Sequence, residues 1–537
     1  MNRIRYLARL ALIAAVFAFA SVTITDPASS RAATWADETG GSFDADSWDL
    51  APTRVDPAGN YFISMGEDGS IRKALDRFQV RAPGAAGGYV GPLQVPSFGS
   101  IEDVDFGFDS SGVSWWIEAT GSAVKITRRG AGPAGGFGAP ETLATGSDLD
   151  RAAVGVAPNG DVLAVWSVFS GSSGNGIFSS FKAANQSSFP SPTPVLTGTD
   201  LASELRAVLD SSGSGLVLYS EVGPGVISLK QRIRSTGGGF SAGPTIQANH
   251  NQLYWDSGIG GYAAIAYKQL DQNGKADLFA STRAPGDSFS AGNMVNGDKA
   301  VRVDEVSISV APDGNAAVAW EEAPGCPGST AHLARYSRTG PGGQFGPAQT
   351  LASSNNAIFH EPSIGVAGAD EWVAGWSQHN VTQAGPCGSV NSVDHQVKLS
   401  SSEGSSGTTS TSLLAKRVQS AAAKTSSGFE ALIVWFESNS LSDNVLHGSY
   451  LNEQTSTDPD PDPDPDPDPD PDPDGGTACK RAKAALKKAK RKLSSNKKKL
   501  KKARKRGSVK KIKRAKKQVK KSKSTKRRKQ KAKRKAC

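Results

Sequence analysis

Acidic residues are missing from the last 59 positions of this 537-residue chain: residues 479–537 hold 33 of the 62 Lys and Arg and no Asp or Glu. The other 478 residues then carry 29 basic groups against 51 acidic ones, so the formal charge of +11 averages an acidic body and a basic tail. Cysteine is scarce, with four in the whole chain, and no CxxC spacing occurs. With the six histidines scattered as well, this argues against a zinc site built on sequence-local ligands. Methionine is rarer still at three, against 59 glycines, which points to short strands and turns rather than helical bundles. No G-x-S-x-G elbow stands among the abundant serines, and the histidines show no nucleophile–base spacing, so no catalytic residue is assigned. Long apolar runs are absent too. The one apolar stretch, Leu10–Val22, follows Arg3, Arg5 and Arg9 and is shorter than the roughly 20 residues a bilayer span needs. That is the layout of a secretory signal peptide, expected over 1–32, with Ala18-Phe19-Ala20 and Ser30-Arg31-Ala32 as suitable cleavage sites. The mature chain is expected to be secreted, without a transmembrane helix, and either soluble or held at the cell surface by its tail.

An oxidising destination gives the cysteines a structural reading. Cys326 and Cys387 lie in Gly/Pro-rich loops, and Cys479 and Cys537 bracket the basic tail. Four cysteines allow three connectivities, of which the local contexts favour Cys326–Cys387 and Cys479–Cys537.

What the body has in abundance is a repeat. Val156-Ala-Pro-Asn-Gly160-Asp-Val-Leu-Ala-Val-Trp166 matches Val310-Ala-Pro-Asp-Gly314-Asn-Ala-Ala-Val-Ala-Trp320, and Gly213 with Tyr219 and Gly261 with Tyr267 keep the six-residue gap. Glycines 59, 112, 160, 213, 261 and 314 follow at intervals of 53, 48, 53, 48 and 53. An interleaved motif begins at Arg129, Arg234, Arg283 and Arg338 and runs through Gly and Phe. The Asn-Gly or Asp-Gly before each apolar run signals a hairpin. The run itself, apolar on both faces, suits a strand covered on both sides. Fifty residues hold four such strands, the size of a propeller blade. The fold expected is all-β: a seven- or eight-bladed propeller over 33–457, with eight favoured by the count and tandem small β-domains as the competing arrangement. The half-motif at Gly40–Phe43 and the unfinished unit after Trp435 complement each other, so the two ends are expected to complete one blade.

The pattern Val-Ala-Pro-Asp-Gly-x-Ala-x-Val-Ala-Trp followed by Gly-Gly-Phe-Gly-x-Pro resembles repeats of secreted bacterial β-propeller proteins, notably of high-GC Gram-positive bacteria. The resemblance implies a fold and an extracellular setting, not an activity. It is also distantly similar to sialidase-type propellers. The Asp-box of those proteins places Gly three before Trp rather than six, and their catalytic residues find no counterpart here.

An acid recurs nine or ten residues before the repeat glycine: Asp49, Glu102, Asp103, Asp150, Glu204, Asp304 and Glu305, with Glu361 in the next unit. Ringing one mouth of a central channel, these carboxylates would suit a hard cation such as Ca²⁺ or a cationic ligand, or act as solvated turn acids. No motif implies a cofactor. The repeat tryptophans are expected to anchor the packing.

Residues 458–474 alternate Asp and Pro strictly, an extended polyproline-II stalk within a linker spanning 458–476. In the tail, 477–537, Ala482, Leu486, Ala489, Leu493, Asn496, Leu500 and Ala503 trace a thin heptad seam that breaks at Gly507. A basic helical hairpin closed by Cys479–Cys537 and a chain disordered until bound are the two readings. Such charge density calls for a polyanion. Anionic cell-envelope polymers or acidic polysaccharide fit an exported chain better than nucleic acid, because the tail has no aromatic residue for base stacking. The functional expectation is a secreted, envelope-associated binding or scaffold protein whose propeller carries a ligand of unknown type. The alternatives are an extracellular carbohydrate-active hydrolase or lyase working at the propeller mouth, and a tail that is itself the effector.

Overall fold

The computed structural model describes most of residues 34–452, apart from linking segments such as 68–76, 95–102, 324–331 and 382–391. The expected signal peptide, all four cysteines, Glu102, the Asp-Pro run and the basic tail lie outside the described residues. Contacts divide the chain into two units, Met1–Ser456 and Thr457–Cys537.

Every regular element among the described residues is a strand, and every pairing is antiparallel. The strands form seven sheets. One has seven strands because Glu141–Val156 pairs through its first half with Gly121–Arg129 and through its second half with Val162–Val168. Dividing that sheet at the shared strand leaves eight four-stranded units, called units one to eight below in the order of their first strands. First strands of successive units touch, as in Arg302–Val310 against Ala357–Val366 and Ala357–Val366 against Ala415–Thr425. Ala415–Thr425 in turn touches Trp48–Leu50 and Arg54–Val55 of unit one, so the circuit closes. The first strands surround a central cavity of about 420 Å³, with all eight units in its wall.

The repeat motif explains each unit. Its glycine sits in the turn after the first strand, where Gly112, Gly160, Gly213, Gly261 and Gly314 have φ between +78° and +91°. At Gly261 a Cβ would also stand 2.7 Å from Asp210 Cβ of the preceding unit, so glycine is required twice over. The following apolar run is the second strand, buried along its length in Ser114–Ala119, and over Val162–Ser167 in Val162–Val168. Trp116, Trp166, Trp320, Trp376 and Trp435 are buried there as packing anchors. The motif arginine ends the third strand with its guanidinium under the following turn. Arg129 donates to the carbonyls of Gly130 and Pro133, at 3.2 and 3.1 Å. Arg283 donates to those of Asp287 and Gly261, at 2.9 and 3.1 Å.

Among the described residues, first strands of neighbouring units share no backbone ladder, and side chains bridge them instead. Asp103 and Asp105 accept from the amides of Ala152 and Val154, at 3.2 and 3.1 Å. Asp256 accepts from Val310 at 2.8 Å, Ser309 from Val366 at 3.2 Å, and Ser363 from Ser420 at 2.7 Å.

The two chain ends share unit eight. Thr34–Phe43 pairs antiparallel with Asn444–Asn452 as its outer strand. Unit one is pinned to unit eight at buried Glu430 and Tyr450. Gly84 N–H donates to Glu430 Oε2 at 2.9 Å and to the Tyr450 hydroxyl oxygen at 2.7 Å, while Arg81 lies 3.4 Å over the Tyr450 ring.

Candidate functional site

One face of the ring gathers the starts of first and third strands and the ends of second strands. On that face, at units six and seven, the chain concentrates its titratable groups. The first strands of units six, seven and eight each carry a bulge at the same place, between Asp304 and Val306, His360 and Ser363, and Lys416 and Gln419. Within these bulges Glu305, Glu361 and Arg417 take φ of +40°, +52° and +58°, a left-handed conformation that non-glycine residues rarely adopt. A bulge re-aims the side chain it frees from the ladder. Here each glutamate reaches the next unit: Glu305 Oε2 accepts from the Glu361 amide, and Glu361 Oε2 accepts from the Val418 amide at 3.1 Å.

Around these carboxylates stand four of the six histidines. His360 Nδ1 is 3.8 Å from Glu305 Oε2 and 4.0 Å from Glu321 Oε2, ion-pair distances rather than hydrogen bonds. Glu321 lies near the end of the second strand of unit six, Ala316–Ala323, and its Oε1 lies 3.3 Å from Nδ1 of buried His332. The His360 ring centroid is 4.8 Å from that of His379, which is 4.7 Å from that of His395. His379 Nε2 is fixed 3.0 Å from the hydroxyl of fully buried Ser377.

The environments push these groups apart. Burial alone would lower the pKa of His360, but Glu305, Glu321 and Glu361 outweigh it and hold the ring above its ordinary value. His379 is driven down to about 4, by burial first and then by the charges of His360 and His395. Burial favours the neutral form of Glu305, yet His360, the Glu361 amide and Arg417 hold its carboxyl below the usual range. Glu321 is raised, chiefly by burial, and Glu361 is raised by burial and by its neighbour Glu305. The result is a proton-holding ring against a proton-free one, beside carboxylates of unequal acidity.

Of the acids singled out in sequence, Glu305 and Glu361 meet at this cluster. Asp304 precedes Glu305 in the same strand, half-buried. Asp103 is buried and spent on the Ala152 amide. Glu204 is buried 3.4 Å from Arg206, and Asp150 is half-buried 3.4 Å from Arg151. Asp49 lies in the strand Trp48–Leu50, and Glu102 falls outside the described residues. The sequence reading passed over His332, His360, His379, His395, Glu321 and Arg417. A signal was present: Glu321 and His379 follow the repeat tryptophans Trp320 and Trp376 by one and three residues, and Glu305, Glu361 and Arg417 recur every 56.

No protein-family profile matches this chain, and no curated protein matches it in sequence. Solved structures similar to it include an ulvan lyase representing a new polysaccharide lyase family, bound to -[GlcA(1-4)Rha3S]-. It is 12% identical, with 69% of this chain and 98% of that chain covered and a TM-score of 0.38. A puromycin hydrolase variant is 12% identical over 73% of this chain and 61% of that one, with a TM-score of 0.40. An α-L-arabinanase of Penicillium chrysogenum is 12% identical over 57% and 94%, with a TM-score of 0.29. At these scores the likeness is remote.

Proposed function

We propose that the chain is an exported β-propeller of eight blades that carries out proton-transfer chemistry on a carbohydrate, as a hydrolase or a lyase, where blades six and seven meet. The observation that supports this reading is the juxtaposition of three histidines in ring-to-ring contact with Glu305 and Glu321 on one face of the ring. Glycoside hydrolysis and elimination each need one group that delivers a proton and another that takes one or orients water. A mixed His and Glu cluster on a face open to solvent at His360 offers both roles. Acyl transfer fits less well. The serine within reach of a ring here, Ser377, is fully buried and cannot meet a substrate as nucleophile. Arg417, at the equivalent bulge of blade eight, lies 4.0 Å from Glu361 Oε1 and adds a positive charge to this face.

The test is a panel of neutral and uronate-containing polysaccharides incubated with the full chain, followed by reducing ends and by unsaturated products. His360→Ala, at the ring open to solvent, is expected to lower turnover by about 10²–10⁴-fold, the range for losing a proton-transfer group. His447→Ala, which removes a ring stacked on Trp435 in unit eight, should leave turnover unchanged. Absence of any product across the panel would return the ring to the role of a binding platform. The 33 positive charges of the tail support the companion reading that it retains the ring on an anionic envelope polymer.

A further inference from the structure

We infer that Glu305, Glu321 and His360 form a site for one divalent transition-metal ion of the Zn²⁺, Co²⁺ or Mn²⁺ class. One ligand atom from each residue lies within 4.8 Å of the other two, and His360 Nδ1 stands 3.8 and 4.0 Å from the two carboxylate oxygens. A triangle of that size surrounds a point roughly 2.0–2.6 Å from each corner, the span of metal–ligand bonds to nitrogen and oxygen. One imidazole nitrogen with two carboxylates suits a borderline ion better than Ca²⁺, which takes an all-oxygen shell.

The surroundings have the form of an outer shell. Glu321 is oriented by His332, and Glu305 by the amide of Glu361. Partners of this kind fix the direction in which a ligand points. A separate observation comes from His332, whose side chain is only 5% exposed and whose Nε2 has no hydrogen-bond partner among the described residues. It is the second nitrogen of the ring whose Nδ1 faces Glu321 Oε1, buried beside the cluster. The Glu305 and His360 side chains are 39% and 37% exposed, so an ion has a route in from solvent and keeps water on its open side.

This inference concerns residues of the same cluster but does not rest on the carbohydrate reading, because occupancy is measured without a glycan; an ion held there would take the place of a proton on His360 Nδ1. The full chain, stripped with a chelator, is titrated with Co²⁺ under visible absorption and with Zn²⁺ and Ca²⁺ by calorimetry. The Asp-Pro run offers cations oxygen ligands alone and is common to all variants, so the differences between variants report the site. One Co²⁺ per chain is expected to give the visible band of mixed nitrogen and oxygen ligation. His360→Ala and Glu321→Gln should each weaken that binding by more than about 10–100-fold, the loss typical of removing even an outer partner. His447→Ala should bind as the parent does. Near-ultraviolet circular dichroism confirms folding, and Glu321→Gln serves if His360→Ala does not fold. Either a parent chain that shows no such band, or folded variants that bind as tightly as the parent, would overturn the site. A chain that binds Co²⁺ as described yet processes no polysaccharide keeps this inference and loses the proposed activity.

Discussion

Asp103 shows how a residue that looks like a ligand in sequence serves as a joint in the fold. Its carboxylate replaces a missing backbone acceptor for Ala152, and burial drives its pKa up to about 7 against the pull of Arg206 and Arg151. The unfolded chain releases this proton near the ordinary value of 3.8. Between the two values the folded state binds more protons, so this group's contribution to stability falls as pH rises from about 4 to 7 and levels off above. Asp103→Asn keeps an acceptor and removes the charge. Thermal unfolding at about pH 5 and pH 8 is expected to show the variant gaining on the parent at the higher pH. Equal melting temperatures at both would mean that the carboxylate is held ionised by its arginines. Asp256, raised to about 6 mainly by burial while Arg54 opposes, should follow the same rule. The tryptophans were legible as anchors because a bulky apolar residue at a fixed step after a turn glycine has one place to go. The histidine cluster was not legible. His360, His379 and His395 are separated by whole strands, and only the return of each strand to the same face unites them.

At the scale of the element, the closing unit was readable from its two halves, because each end of the chain carries the motif that the other lacks. The strand shared by units two and three was not. Glu141–Val156 joins the end of one motif to the start of the next, and no turn signal tells a reader that the backbone runs on. The broken first strand of unit one, Trp48–Leu50 and Arg54–Val55, is likewise a departure the repeat does not announce. The seam between units eight and one makes its own prediction. Glu430→Ala leaves the buried Tyr450 hydroxyl without its carboxylate acceptor and the half-buried Gly84 amide with one acceptor of its two, and a buried polar group left unpaired costs about 1–3 kcal/mol. The urea midpoint should drop accordingly, with little change in slope. A midpoint equal to the parent's would show that the seam does not depend on this carboxylate.

For the whole molecule, the separation of charge matters more than its sum. If the tail retains the chain on an anionic polymer, the full chain should co-sediment with envelope polyanions at low salt, and a chain ending at Asp474 should stay in solution. Binding should weaken steeply as salt rises, because each neutralised charge releases a counterion. Equal partitioning of the two chains across salt would remove the retention reading. The ring itself sets an order of events in time. Thr34–Phe43, among the first residues of the body to be made, is the outer strand of a unit whose other three strands begin at Ala415. It must wait unpaired while nearly the whole ring is synthesised. A chain interrupted before Asn444 would therefore keep an open strand edge of the kind that recruits other chains, which makes prematurely ended copies the aggregation hazard of this fold.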